Sequence, residues 1–298
     1  MKRSGCTWRR LVPLLAGLLL PAAGTAAAAI NADGVLWRVQ GPEDTDPSHV
    51  FGTIHSDDPR VLDLDPVIER AFRAARHYAF ELDFDADIRQ TAARAMFDQA
   101  PPTLEEQLGD EDWQRARRAA QARGVPENAL RLMEPWALAI TISVPAMDPA
   151  ATLDRVLFRR ATDLGRPVQG LETAEEQLSL FDDLPEREQL YLLRATLDLA
   201  EQDGLAPMFE SLTAAWLRGD LGALMEISES NPMLPDGERN DAFTERVVDE
   251  RNERMVERMQ PLIERGGAFV AVGALHLPGE RGVLRLLEEA GYTVTPVD

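Results

Sequence analysis

The chain has 298 residues, 51 of them acidic and 31 basic, for a net charge of −20 at pH 7. That length suits one large domain or two small ones, and the charge argues against nucleic acid and anionic membrane surfaces as partners. The acidic residues are spread along the chain, as on a solvated surface. The single cysteine, Cys6, precedes the first apolar run, so disulfides, thiolate metal sites and cysteine nucleophiles are excluded from the rest of the protein.

Lys2, Arg3, Arg9 and Arg10 open the chain, Leu11 to Leu20 form an apolar core, and Pro21 to Ala29 are small and Ala-rich. These are the parts of a secretory signal peptide, expected over residues 1–29, with the body of the protein at 30–298. Its removal takes four basic residues and no acidic one, moving the net charge from −20 to −24. An uncleaved membrane anchor is the alternative, because roughly 20 uncharged residues can just span a bilayer. Pro21, Gly24 and the Ala tract make a poor spanning helix. A periplasmic or secreted location is therefore expected, and a cysteine-free body suits an oxidising compartment. Membrane contact is expected only if the segment stays uncleaved.

Val35 to Val39 and Val50 to Ile54 read as strands, being rich in β-formers and bounded by Gly, Pro and Asp. A helix follows from Pro66 to Arg76, with Val67, Ile68, Ala71 and Phe72 on one face, and then a strand from His77 to Phe84. From about 88 to 262 the pattern is helical, with breaks at Pro101-Pro102, Gly124, Pro145 to Pro149, Gly204 and Asn231 to Gly237. One short strand, Arg166 to Leu171, interrupts it. Ala268 to Gly273 is a continuous apolar run, as in a buried strand of a parallel or mixed sheet. Val283 to Leu287 carry a helix face, and Tyr292 to Val297 form a last strand.

The two ends are versions of one another. Strand, Gly52-Thr53-Ile54-His55, loop, helix and strand match strand, Gly273-Ala274-Leu275-His276, loop, helix and strand. Each unit has about 30 residues, the size of a βαβ element. The fold class expected is α/β (α+β): a mixed central sheet built from two such units, with a large helical insertion at about 88–262.

Ligands of a βαβ unit collect beyond the carboxyl ends of its strands, where His55 and His276 both fall. Each follows, three residues on, a glycine that permits close approach, Gly52 or Gly273. Matched positions in a repeat set this pair apart from His49 and His77, which read as surface or capping residues. Glu81 interrupts an apolar strand, either as a buried carboxylate or as one solvent-facing position of an edge strand. Two imidazoles and one carboxylate make a divalent metal site with room for water. Arg251 sits mid-stripe among Phe243, Val247, Met255 and Met259. It calls for an anionic partner, Glu81 or a substrate group, unless it snorkels from the stripe's edge. Glu172 has a weaker claim and reads rather as a first-turn helix charge. No G-x-S-x-G, H-E-x-x-H, Walker A or G-x-G-x-x-G motif occurs.

Leu36-Trp37-Arg38-Val39, Phe51-Gly52-Thr53-Ile54-His55, Phe80-Glu81-Leu82-Asp83 and Val272 to Glu280 resemble the TraB/PrgY/GumN family. Gly170-Leu171-Glu172-Thr173 and Arg251-Asn252-Glu253-Arg254-Met255 do so as well. The likeness runs through nearly all of the chain after the leader, loosely in the helical middle. That family is similar to the Tiki metalloproteases, and more distantly to erythromycin esterase and a haem-binding lipoprotein fold. The resemblance implies a mixed sheet flanked by helices and a site of His55, His276 and Glu81. It also implies a divalent metal such as manganese or cobalt, and a substrate-binding role for Arg251; zinc also accepts these ligand types.

Two functions stay open on the sequence. One is a metal-dependent, peptidase-like hydrolase in which His55, His276 and Glu81 hold metal or act as base and Arg251 steadies an oxyanion or a substrate carboxylate. The other is a non-catalytic binding or regulatory protein for a peptide, signal molecule or haem, although haem calls for more aromatic and Met lining near the motifs.

Overall fold

The computed structural model describes residues 33–41, 45–84, 88–97, 101–231, 233 and 244–297. The leader expected at 1–29, and Phe243 of the stripe, lie outside the described residues.

Among the described residues six strands form one mixed sheet: β1 (Leu36–Gln40), β2 (Ser48–Thr53), β3 (His77–Leu82), β4 (Val168–Glu172), β5 (Ala268–Gly273) and β6 (Thr293–Pro296), in the order β4-β3-β5-β2-β1-β6. β4, β3, β5 and β2 run parallel, and only β1 opposes its neighbours β2 and β6. Val50, Phe51, Tyr78 to Phe80 and Phe269 to Val272 are buried almost completely, which is why β5 reads as an unbroken apolar run rather than an alternation. Phe51, Tyr78 and Phe269 of the sheet and Phe72 of the helix after β2 pack ring to ring. Each such burial contributes about 1.5–3 kcal/mol relative to exposure.

β2 leads through α1 (Pro59–Leu62) and α2 (Pro66–Ala74) to β3, and β5 inserts between those two strands. β5 leads through a 3₁₀ turn (Ala274–His276) and a helix (Val283–Glu289, the last) to β6. Both ends are thus parallel β–helix–β crossovers, and together they bring the exits of β2 and β5 side by side.

The insertion supplies α3 (Ile88–Met96), α4 (Leu104–Ala122), α5 (Glu127–Leu130), α6 (Pro135–Ser143) and α7 (Leu153–Asp163) before β4. After it come α8 (Ala174–Asp182), α9 (Glu186–Glu201), α10 (Leu205–Leu217), α11 (Leu221–Glu229) and α12 (Glu250–Arg265); α13 is the helix before β6. A π turn at Glu245–Asp249 leads into α12. The core has two clusters, one around the sheet and one inside the helical insertion, and Leu275 packs against both. Among the described residues no helix is long and apolar enough to cross a membrane.

Besides shifts of one to three residues at other element ends, the structure departs from the sequence reading in three places. The strand expected to reach Phe84 ends at Leu82, because its last partner is Glu172 and β4 stops there. Gly109 carries a φ of 72° and kinks α4, a break the sequence pattern does not mark. Glu172 is the final residue of β4, with Thr173 capping the helix that follows, so it is no first-turn charge.

Candidate active site

His55 leaves β2 and turns its Nδ1 onto Asp154 Oδ2 at 2.6 Å. Asp154 is buried at the start of α7 and also accepts from Thr53 Oγ1 at 2.5 Å. Burial works to lower the imidazole's pKa, but the Asp154 carboxylate outweighs it and pushes His55 up to about 9. The same contact holds Asp154 below the usual carboxylate range against its own burial. With Nδ1 engaged, Nε2 is the nitrogen a metal could reach, by displacing the proton that the raised pKa keeps there at neutral pH, and the side chain is 18% exposed.

His276 is fully buried on the turn after β5. Its Nδ1 lies 2.7 Å from Asn252 Oδ1, while Asn252 Nδ2 donates to the Arg281 carbonyl at 2.8 Å. That second bond orients the amide, so its oxygen faces the ring and Nδ1 carries the proton. Burial, with Arg251 nearby, pushes His276 down to about 3, so the ring is neutral and Nε2 is a bare lone pair. Among the described residues this buried Nε2 has no hydrogen-bond partner. Glu81 Oε1 faces it at 3.8 Å. Two acceptors confront each other there.

Glu81 lies on β3, an interior strand, and is 7% exposed rather than solvent-facing. Its Oε1 accepts the backbone N–H of Gly273; Oε2 accepts from Arg251 Nη2 at 3.2 Å and Gln177 Nε2 at 3.3 Å. A Cβ on Gly273 would stand 2.9 Å from Glu81 Oε1, so the missing side chain is what admits the carboxylate. Gly52 has a different reason: its Cβ would meet Leu277 Cδ1 at 2.7 Å and Ala274 Cα at 3.0 Å, where the turn after β5 packs on β2.

Arg251 is 0% exposed and does not snorkel. Its Nη2 and Nε bind Glu172 at 2.6 and 3.0 Å, Nη2 also reaches Glu81, and Nη1 donates to the Val247 carbonyl at 3.3 Å. Glu172 is equally buried and takes further donors from Gln177 and Arg254. The two carboxylates compensate the desolvation of the guanidinium.

The sheet therefore places Glu81 against His276, and His55 near enough for its charge to act on both. Among the described residues no group of three or more His, Cys, Asp or Glu is gathered closely enough to hold an ion as it stands. The His276–Glu81 pair nevertheless fits a divalent cation: 3.8 Å is less than two metal–ligand bonds of about 2.1 Å end to end, and the lone pair is otherwise orphaned. Asp154 and Asn252 each hold the Nδ1 side of a ring, the contact that orients metal-binding imidazoles. Sequence reasoning missed Asp154, Thr53 and Gln177. Asp154 looks like an ordinary helix-start acid, and only its distance of 99 residues from His55, closed by folding, gives it a role.

The chain belongs to the TraB/PrgY/gumN family, whose model matches residues 35–296. It is similar to the protein named Metalloprotease TIKI2 of Danio rerio, 28% identical over 87% of this chain and 60% of that protein. A Metalloprotease TIKI homolog of Amphimedon queenslandica is 25% identical over 94% of this chain and 65% of its own length. The chain thus spans less than two thirds of these two relatives. The uncharacterized protein YbaP of Escherichia coli (strain K12) is 23% identical over 80% of this chain and 87% of its own length.

Proposed function

We propose that this chain is an exported, metal-dependent hydrolase acting on peptide or related carbonyl bonds. The observation that carries the reading is the buried Nε2 of neutral His276, without a partner among the described residues and facing the Glu81 carboxylate. The metalloproteases among its relatives support the same chemistry.

His55, His276 and Glu81 would hold a divalent ion, with manganese, cobalt and zinc the ones to assay. Such an ion would polarise a substrate carbonyl and lower the pKa of a water. The remaining work falls to the chain's own groups. Asp154 holds the His55 ring and its Nδ1 proton, and Asn252 fixes the His276 tautomer. Arg251 and Gln177 hold one oxygen of Glu81 and Gly273 the other, so the carboxylate keeps its aim while substrate enters. With every side of its guanidinium engaged, Arg251 acts on Glu81 rather than on substrate.

The test is metal analysis of tag-free protein, followed by a peptide-substrate screen. About one divalent ion per chain is expected, lost in His276→Ala and Glu81→Gln, with turnover lost alongside. Protein that takes up no manganese, cobalt or zinc sinks the reading; metal uptake without turnover in the screen leaves a binding protein. Export rests on the basic, apolar and Ala-rich leader. Mass spectrometry should find a mature N-terminus near Ala27 to Asn31, and an intact Met1 in membranes would overturn cleavage.

A further inference from the structure

The helical insertion holds a second pocket, of about 580 Å³, between α4, α6, α9 and the start of α10. Its residues are distinct from those of the histidine site. The volume falls in the range of small-molecule sites, about 300–1,000 Å³. Ala119, Ala122, Pro145 and Leu205 supply an apolar wall, and three arginines lie along it.

Those arginines are not equivalent. Arg115 is engaged by Asp112, Asp198 and Glu201, and Arg118 by Glu201. Arg123 is half-buried and has no carboxylate within ion-pair distance among the described residues. One N–H, on Nη2, donates to the Ile142 carbonyl at 2.7 Å near the end of α6. Burial lowers its pKa with no neighbouring carboxylate to offset the effect. Asp203, also on the pocket wall, is exposed to water and makes no ion pair with Arg123. Arg123 closes α4 and its one helix-end bond reaches the last turn of α6, where the helix dipole favours a cation. A helix C-terminus carries only about half a negative charge, so part of the guanidinium charge on this pocket wall is left for an anion.

We propose that this pocket binds a small apolar carboxylate, its head group on Arg123 and its hydrocarbon body against Ala119, Ala122, Pro145 and Leu205. A carboxylate matches the planar donors of guanidinium, and the apolar wall strengthens the pair by excluding water. This stands whether or not the histidine site turns over a peptide.

The experiment is calorimetric titration of the full chain with decanoate below its micelle concentration, with 1-decanol as the uncharged control. Saturable one-to-one binding of decanoate is expected, with decanol about tenfold weaker or worse, the worth of a charge-assisted hydrogen bond. Arg123→Gln should weaken decanoate by a similar factor, and Arg123→Lys should recover part of the loss. Ala119→Trp keeps the charge, fills the pocket and should abolish binding. If Arg123→Gln fails to fold, by circular dichroism, the decanol and Ala119→Trp arms decide. No saturable binding, equal affinity for decanol, or undiminished affinity in a folded Arg123→Gln would each overturn the proposal.

Discussion

Arg251→Met tests the reading of the buried charge cluster most directly. Methionine keeps much of the side-chain volume, so the cavity contribution is small and the change is mainly electrostatic. Without the guanidinium, Glu172, itself 0% exposed, retains only Gln177 and the longer contact to Arg254 at 3.4 Å. Glu81 keeps Gln177 and the Gly273 N–H. Removing one partner of a buried ion pair costs about 3–5 kcal/mol. At about 2–4 °C per kcal/mol for a large domain, the melting temperature should fall by about 6–20 °C. The assay is thermal unfolding by circular dichroism, in chelator and at fixed pH and protein concentration. The double variant Arg251→Met/Glu172→Gln, which leaves no orphaned charge on β4, should recover part of the loss. A fall of less than about 1 kcal/mol, or a double variant no more stable than the single one, would refute the cluster as a stabilising unit.

Asp154→Asn keeps the shape beside His55 but removes the charge; metal affinity should fall about 10–100-fold in a zinc titration, and unchanged affinity would deny Asp154 its positioning role. Asn252→Ala leaves the His276 Nδ1–H buried and unpaired, so a stability loss of about 1–3 kcal/mol should accompany weaker metal binding. The two motif glycines should fail differently. Gly273→Ala, at a φ of −55° that alanine accepts, should displace Glu81 and cut metal binding with the fold retained, whereas Gly52→Ala should cost about 1–3 kcal/mol by overpacking on Leu277 and Ala274. Glu176, bound by Arg258 and capping α8, has its pKa lowered to about 2. A carboxylate lowered in the folded state stabilises above its ordinary pKa and loses that contribution as pH falls, here between about 4.5 and 2; Glu176→Gln should flatten the stability–pH curve in that window.

The sequence by itself determined the sheet at both ends of the chain and the helical stretch between them. Apolar strands and amphipathic helices declare themselves by local periodicity, and the repeat around Gly52/His55 and Gly273/His276 marks where two strands exit. It also singled out Glu81 and Arg251, since a charge inside an apolar pattern stands out without any knowledge of what faces it. Only the tertiary structure decided how those charges are satisfied. Glu172 became Arg251's main partner because β4 pairs with β3 in a register that sets Leu82 opposite Glu172, about 90 residues away in sequence. Asp154 reached His55 because α7 starts against the exit of β2. A residue's pattern along the chain marks it as out of place, but the burial of Glu81 and Arg251 is open there and settled by the fold. Which partner meets such a residue depends on strand order and helix placement, and those are set by contacts between segments that carry no local mark of one another.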